Sequence, residues 1–252
     1  SVPGVTSLSV DLHKYAFCPK GASLVLYNDK ALRKHQIFAC AEWTGYTVIN
    51  PTVQSSKSGG PLAAAWAVIH YLGDEGYLKI AQETLEGTRA LVAAIEEIDG
   101  LDLMSQPQMC MLAISSSEVS VFHVVDEMSA RGWYLQAQLG FDNSPANIHI
   151  SLHPGNIHKV PAMIEDLRDA VAAARALSGD DVAVGAPGMF AGLDPSLLTD
   201  DMVRDMLSMV GVEGVALPER MASINSLLDT LDPSTKEALL TSYINDLFQP
   251  TA

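Results

Sequence analysis

Val5-Thr6-Ser7-Leu8-Ser9-Val10-Asp11-Leu12-His13-Lys14-Tyr15, followed after three intervening residues by Pro19-Lys20-Gly21-Ala22-Ser23-Leu24-Val25-Leu26-Tyr27, is the stretch from which the fold is read. Residues 5–10 alternate as a strand does, and residues 22–27 form a second strand closed by Asn28-Asp29. The two read as neighbouring strands joined by a functional loop. A lysine at the end of a buried strand is costly as a cation, so its amine tends to lose its proton and become nucleophilic. Schiff-base chemistry requires that. The bland alternative is a lysine whose stem lies along the strand end and whose head reaches water. His13 beside Lys14, and Lys20 six residues on, gather positive charge at a tight loop and point to an anion.

Working outward, residues 29–38 read as a short polar helix or irregular segment, and 42–53 as a loop with Gly45 and Pro51. Residues 62–72 are apolar on nearly all sides and predict a buried helix, broken at 73–76. Residues 77–98 space Leu78, Ala81, Leu85, Leu91, Ala94 and Ile95 as a long amphipathic helix ended by Asp99-Gly100. The pattern then changes to strands at 101–104 and 109–115, a helix at 119–131, strands at 133–138 and 147–153, and a helix at 159–177, a small α+β sandwich. Beyond Ser178 a Gly/Ala-rich stretch at 185–192 leads into acidic amphipathic helices around 199–210, 217–231 and 235–248. Thr199-Asp200-Asp201 and Asp232-Pro233-Ser234 are helix-start signals.

The chain has 252 residues, 48% of them hydrophobic, which excludes a mostly disordered polypeptide. Fifteen basic against 30 acidic residues give a net charge of −15. That argues against binding a nucleic-acid backbone, which rests on basic patches, and against a polybasic membrane surface. The charge is uneven. Residues 1–100 carry 8 basic and 10 acidic groups, net −2, and residues 101–252 carry 7 and 20, net −13, so an anion site belongs in the first hundred residues. No apolar run is long enough to span a bilayer, and no signal peptide opens the chain. Cys18, Cys40 and Cys110 are odd in number and lack metal-like spacing, which reads as reduced thiols in a cytoplasmic setting. No metal is expected. His149 and His153 fall four apart on a strand, too far apart for one metal without a third ligand. The opening Ser1-Val2-Pro3-Gly4 predicts a start inside a larger polypeptide.

Ser56-Lys57-Ser58-Gly59-Gly60 before a helix is a phosphate-cradle pattern. Glycines let N–H groups converge, serines add hydroxyl donors, and the helix start supplies partial positive charge. A simple helix cap is the alternative.

Taken together, His13-Lys14-Tyr15, Pro19-Lys20-Gly21 and Ser58-Gly59-Gly60, with Trp43, Gly45, Pro51-Thr52, Gly132-Trp133 and Gly188-Met189, resemble the pyridoxal-phosphate-dependent group II decarboxylases, closest to their sphingosine-1-phosphate lyase branch. The resemblance covers essentially the whole chain as the C-terminal portion of such an enzyme. It implies an α/β fold of fold type I: residues 1–76 as the end of the large cofactor domain, 77–100 as a linking helix, 101–178 as the α+β small domain and 179–252 as an acidic helical tail.

The resemblance further implies that Lys14 holds pyridoxal 5'-phosphate as a Schiff base and later carries protons. His13 lies beside the cofactor, and Ser58, Gly59 and Gly60 approach its phosphate across a homodimer interface. Lys20 binds a phosphate on the substrate. The family has Arg where this chain has Lys57, which keeps the charge but not a bidentate grip. A family tyrosine falls on Val48, and Tyr46, two positions earlier, would point to the same side of an extended segment and replace its phenol. Asp11 is near enough to polarise His13 or a backbone group. The aspartate that serves the pyridinium nitrogen is expected before Ser1. The implied reaction is retro-aldol cleavage of a phosphorylated amino alcohol to an aldehyde and phosphoethanolamine. The alternatives are an L-amino-acid decarboxylase of glutamate, aspartate or tyrosine type, and a chain catalytically incomplete in isolation or serving as an interaction module.

Overall fold

The computed structural model describes residues 2–54, 56–177, 198–214 and 216–249. The Gly/Ala-rich stretch at 185–192, including Gly188-Met189, lies outside them. The chain forms two compact units, Ser1–Ala81 and Gln82–Ala252.

In the first unit β1 (Ser7–Asp11) and β2 (Ser23–Tyr27) pair antiparallel, with Ser7 opposite Tyr27 and Asp11 opposite Ser23. After α1 (Lys30–Arg33) and one 3-10 turn come β3 (Phe38–Cys40) and β4 (Val48–Asn50), also antiparallel. Part of the segment expected to be loop at 42–53 is therefore strand. Three residues are too few to show a period of two, and only pairing across the hairpin reveals the strand.

Helix α2 spans Gly59–Glu96 with a kink at Gly73, whose φ of 59° only glycine adopts readily. The break expected over 73–76 is thus one residue wide, and the helix resumes at once. The expectation that 62–72 is buried fails. Ala65 is buried, but Leu62, Trp66, Ile69 and Tyr71 are exposed. A small core gathers Leu12, Cys18, Ala22 and Ala65, and it covers one stripe of the helix only.

The second unit is built on a four-stranded antiparallel sheet ordered β5 (Asp102–Leu103), β6 (Met111–Ser115), β8 (Asn147–Ser151), β7 (Gln136–Gln138). Cross-strand pairs Leu112 with Ile150 and Ile114 with Ile148 put four branched side chains on one face. That face buries against α3 (Val121–Ala130) and α4 (Val160–Leu177) through Phe122, Val124, Met128, Met163, Leu167 and Ala170, joined by Leu91 and Ile95 of α2. The strand expected at 133–138 begins late, because residues 131–133 close α3 instead. Gly132 stands at φ 85° while the Trp133 N–H donates to the Met128 carbonyl, a helix-ending turn. The Trp133 indole then donates to Asp166 at 2.7 Å. His153 lies just beyond β8 rather than in it, and its Nδ1 accepts from the Gly155 N–H.

The tail forms α5 (Asp200–Met209), α6 (Ala222–Thr230) and α7 (Pro233–Leu247) around a core of Val203, Met206, Leu207, Val212, Ile224, Leu227, Leu231 and Leu239. Thr199 and Asp232 cap α5 and α7 as their sequence predicts. Helix α6 starts at Ala222, five residues later than expected. It has no side-chain cap of its own, and Asp126 of α3 supplies one, accepting from the Met221 and Ala222 N–H groups at 2.8 and 2.9 Å. Glu127 beside it pairs with Arg131 and Arg220, each at 2.8 Å, and Asp229 accepts from the Gly140 N–H at 2.6 Å. Asp126 and Glu127 are both buried, so these contacts hold the tail to the sheet-and-helix body.

Candidate functional site

The loop between β1 and β2 folds as consecutive turns. The Lys14 N–H donates to the Asp11 carbonyl, the Phe17 N–H to the Lys14 carbonyl, and the Cys18 N–H back to the Leu12 carbonyl. Phe17 sits at φ 54°, a left-handed conformation uncommon for a non-glycine residue, and it turns the chain so that Cys18 faces inward. The loop then lies on the first half of α2. Leu12, Cys18 and Ala22 pack with Ala65, and the Tyr77 hydroxyl donates to the Ala16 carbonyl at 2.8 Å. That burial pushes the Tyr77 phenol up from its ordinary 10.0. At Gly21, whose φ is 109°, an added Cβ would come within 2.9 Å of Pro61 Cγ. The Pro19-Lys20-Gly21 turn therefore touches the start of the helix that Ser58-Gly59-Gly60 opens.

Lys14 and its neighbours differ from the expectation of a lysine at a buried strand end. Strand β1 is largely exposed in this chain, and Lys14 stands one turn beyond it with its side chain 62% exposed. Its Nζ lies 2.9 Å from Asp11 Oδ2, and the Ser23 hydroxyl donates to Asp11 Oδ1 at 2.7 Å. Asp11, expected to polarise His13 or a backbone group, instead places both oxygens on these partners. The hydrogen bonds from Lys14 and then Ser23 hold its carboxyl below the ordinary 3.8, with a smaller contribution from the charge of His13. His13 is half-buried. Sequence reading does not single out Ser23, because only the register of the folded pair sets it opposite Asp11.

At the helix start, the Gly60 N–H donates to Ser58 Oγ at 3.3 Å. Gly59 is exposed, and a Cβ there would meet nothing within 4 Å, so the space beside the start of α2 is open. Lys20 and Lys57 are exposed. Tyr46 lies in a bend before β4 and is 80% exposed, so the extended segment that would align it with Val48 does not form. An exposed amine fits an aldehyde, and an accessible glycine-opened helix start beside a lysine turn fits a phosphate. Pyridoxal phosphate carries both groups. Among the described residues no cluster of three or more His, Cys, Asp or Glu is arranged to hold a metal ion.

Residues 184–246 match the family model described as "Pyridoxal-dependent enzyme, C-terminal putative HTH domain". The sphingosine-1-phosphate lyase of Arabidopsis thaliana is 40% identical over 179 residues, which cover 71% of this chain and 32% of that protein. The sphingosine-1-phosphate lyase of Oryza sativa subsp. japonica is 36% identical over 206 residues, 82% of this chain and 37% of that one. Among solved structures, a Burkholderia pseudomallei sphingosine-1-phosphate lyase superimposes with a TM-score of 0.64 at 34% identity, covering 69% of this chain and 39% of that one. A Lactobacillus brevis glutamate decarboxylase reaches 0.55 at 18% identity, covering 68% and 41%, and shares the fold. Architecture and matches together define the C-terminal portion of a fold-type-I pyridoxal-phosphate-dependent enzyme. The chain belongs with the pyridoxal-phosphate-dependent enzymes, and the curated relatives it matches are sphingosine-1-phosphate lyases. It spans about a third of the length of the curated relatives it matches.

Proposed function

We propose that this chain is the C-terminal part of a pyridoxal-phosphate-dependent carbon–carbon lyase that cleaves a phosphorylated amino alcohol to an aldehyde and phosphoethanolamine. The observation that carries the reading is the apposition of two motifs: the turn bearing Lys14 and Lys20 packs, through Gly21 and Pro61, on the helix start formed by Ser58, Gly59 and Gly60. When bound, the cofactor supplies the electron sink for breaking the bond next to the amine-bearing carbon. Lys14 would hold the cofactor through its amine and would carry a proton to or from the reacting carbon. His13 would lie beside the cofactor. Gly59 would offer its N–H and Ser58 its hydroxyl to the cofactor phosphate, and the Gly60 N–H would join them on leaving Ser58 Oγ. Lys20 holds the substrate's own phosphate as a mobile point charge. Tyr46 would supply the phenol in place of the family tyrosine that falls on Val48.

Residues 1–76 read as the end of the cofactor domain, 77–100 as the linking helix, 101–178 as the small domain and 179–252 as the acidic tail. The apolar side chains left exposed on the first half of α2 accord with a homodimer whose cofactor site lies at the interface. Cys18, Cys40 and Cys110 form no disulfide, which accords with a cytoplasmic setting. Among the described residues no helix is long and apolar enough to cross a membrane. The test is an assay of the enzyme carrying this chain, and of its Lys20→Ala variant, against a phosphorylated long-chain amine and against L-amino acids. Loss of turnover on the phosphorylated amine alone supports the lyase. Turnover that Lys20→Ala leaves intact, with release of carbon dioxide from an amino acid, moves the reading to the decarboxylase.

A further inference from the structure

Three features meet at the end of the β1–β2 ladder. The register sets Ser23 directly opposite Asp11 as the last pair. The Ser23 hydroxyl donates to one oxygen of Asp11 at 2.7 Å, which fixes the plane of the carboxylate. The other oxygen lies 2.9 Å from Lys14 Nζ, while the Lys14 N–H donates to the Asp11 carbonyl at 3.0 Å, so backbone and side chain both tie residue 14 to residue 11. We propose that Asp11 is a positioning residue that holds the Lys14 ammonium at the strand end, with Ser23 orienting the carboxylate. The inference rests on Lys14 as the cofactor-bearing lysine only for its purpose, not for its geometry.

The logic is electrostatic. A nitrogen that will attack a carbonyl must stand in a defined place and shed a proton. A carboxylate held in the charged form by two donors keeps the ammonium in place, but it is a weak base toward it. Asp11 therefore parks the lysine and does not deprotonate it. The lysine leaves this contact by giving its proton to solvent, which its exposed side chain reaches, and the neutral amine is then free to attack a carbonyl carbon while the carboxylate stays fixed by Ser23. A pair so open to water is modest in strength and sensitive to salt.

The test uses the full chain and a small amine-reactive reagent, trinitrobenzenesulfonate, with labelling at Lys14, Lys20 and Lys57 read separately by peptide mass. Asp11→Asn should raise the rate at Lys14 relative to Lys20 about two- to fivefold. Ser23→Ala should raise it less, Asp11→Glu should restore most of the protection, and high salt should raise the wild-type rate toward that of Asp11→Asn. A merely structural Asp11 would not give the salt effect or the rescue. An unchanged Lys14 to Lys20 ratio in Asp11→Asn overturns the proposal. A second arm treats wild-type chain with pyridoxal phosphate and borohydride. If Lys14 takes up no cofactor there, yet the labelling ratio responds to Asp11→Asn, the cofactor reading fails while the Asp11 contact stands.

Discussion

Removing the carboxylate of Asp126 should release the tail from the body of the second unit. Asp126 is 5% exposed and accepts from two backbone N–H groups, those of Met221 and Ala222, at the otherwise uncapped start of α6. A hydrogen bond to a charged group contributes about 1.5–3 kcal/mol, and a buried donor left without its acceptor costs a similar amount. Ala222 is buried, whereas Met221 is half-buried and water can reach its N–H. Counting the first in full and discounting the second gives about 3 kcal/mol for Asp126→Ala, roughly a hundredfold in an opening equilibrium. Asp126→Asn keeps one acceptor oxygen and should cost about a third as much. Hydrogen exchange reads this directly, because amides of a unit that opens by itself report that opening. The Ala222 amide should lose about two orders of magnitude of protection in Asp126→Ala, with the amides of α4 unchanged. Protection of Ala222 within threefold of wild type would refute the claim that Asp126 fastens the tail.

Gly21→Ala places a Cβ within 2.9 Å of Pro61 Cγ at a φ of 109°, so it should lift the lysine turn off α2 at a cost of about 1–3 kcal/mol, seen as faster exchange of the Cys18 amide. Leu167→Ala, at a fully buried position between α4 and the sheet, should destabilise the second unit by about 2–5 kcal/mol in a urea titration. Hydrogen bonds from Arg131 and Arg220 hold the Glu127 carboxyl below its ordinary 4.5, so its contribution is fully present above that value and is lost as pH falls through the depressed one. Exchange protection in α6 should accordingly fall below about pH 4.5, and Glu127→Gln should flatten that dependence. Asp232→Ala removes the cap that accepts from the Ser234 and Thr235 N–H groups, and the Thr235 amide should exchange faster with α6 unaffected.

The lysine loop is legible because its chemistry is local: His13-Lys14 and Pro19-Lys20-Gly21 sit between an alternating strand and an apolar strand closed by Asn28-Asp29, both readable without a structure. The small α+β body was legible for the same reason, since β6, β8, α3 and α4 carry clean periods over five to eighteen residues. What escaped depends on contacts distant in sequence. Asp126-Glu127 in α3 looks like a solvated acidic pair, and only the fold brings it to Met221, Ala222 and Arg220 about ninety-five residues on. A signal was present in that α6 lacks a capping residue of its own. The burial of 62–72 was overestimated because an apolar helix announces that it will be covered and does not say by what, and within this chain only the Ala65 stripe is covered. Strand β4 and the bend at Tyr46 lie below the length at which periodicity can speak.

The central claim is that Lys14 is the residue that carries the cofactor. Its most direct test is to incubate the protein with pyridoxal phosphate, reduce with borohydride and map the phosphopyridoxyl group by peptide mass, with Lys14→Ala alongside. The account predicts modification concentrated on Lys14, with a yellow adduct before reduction that Lys14→Ala lacks. Modification spread evenly over Lys14, Lys20, Lys57 and other exposed lysines, or an adduct that survives Lys14→Ala, would contradict it.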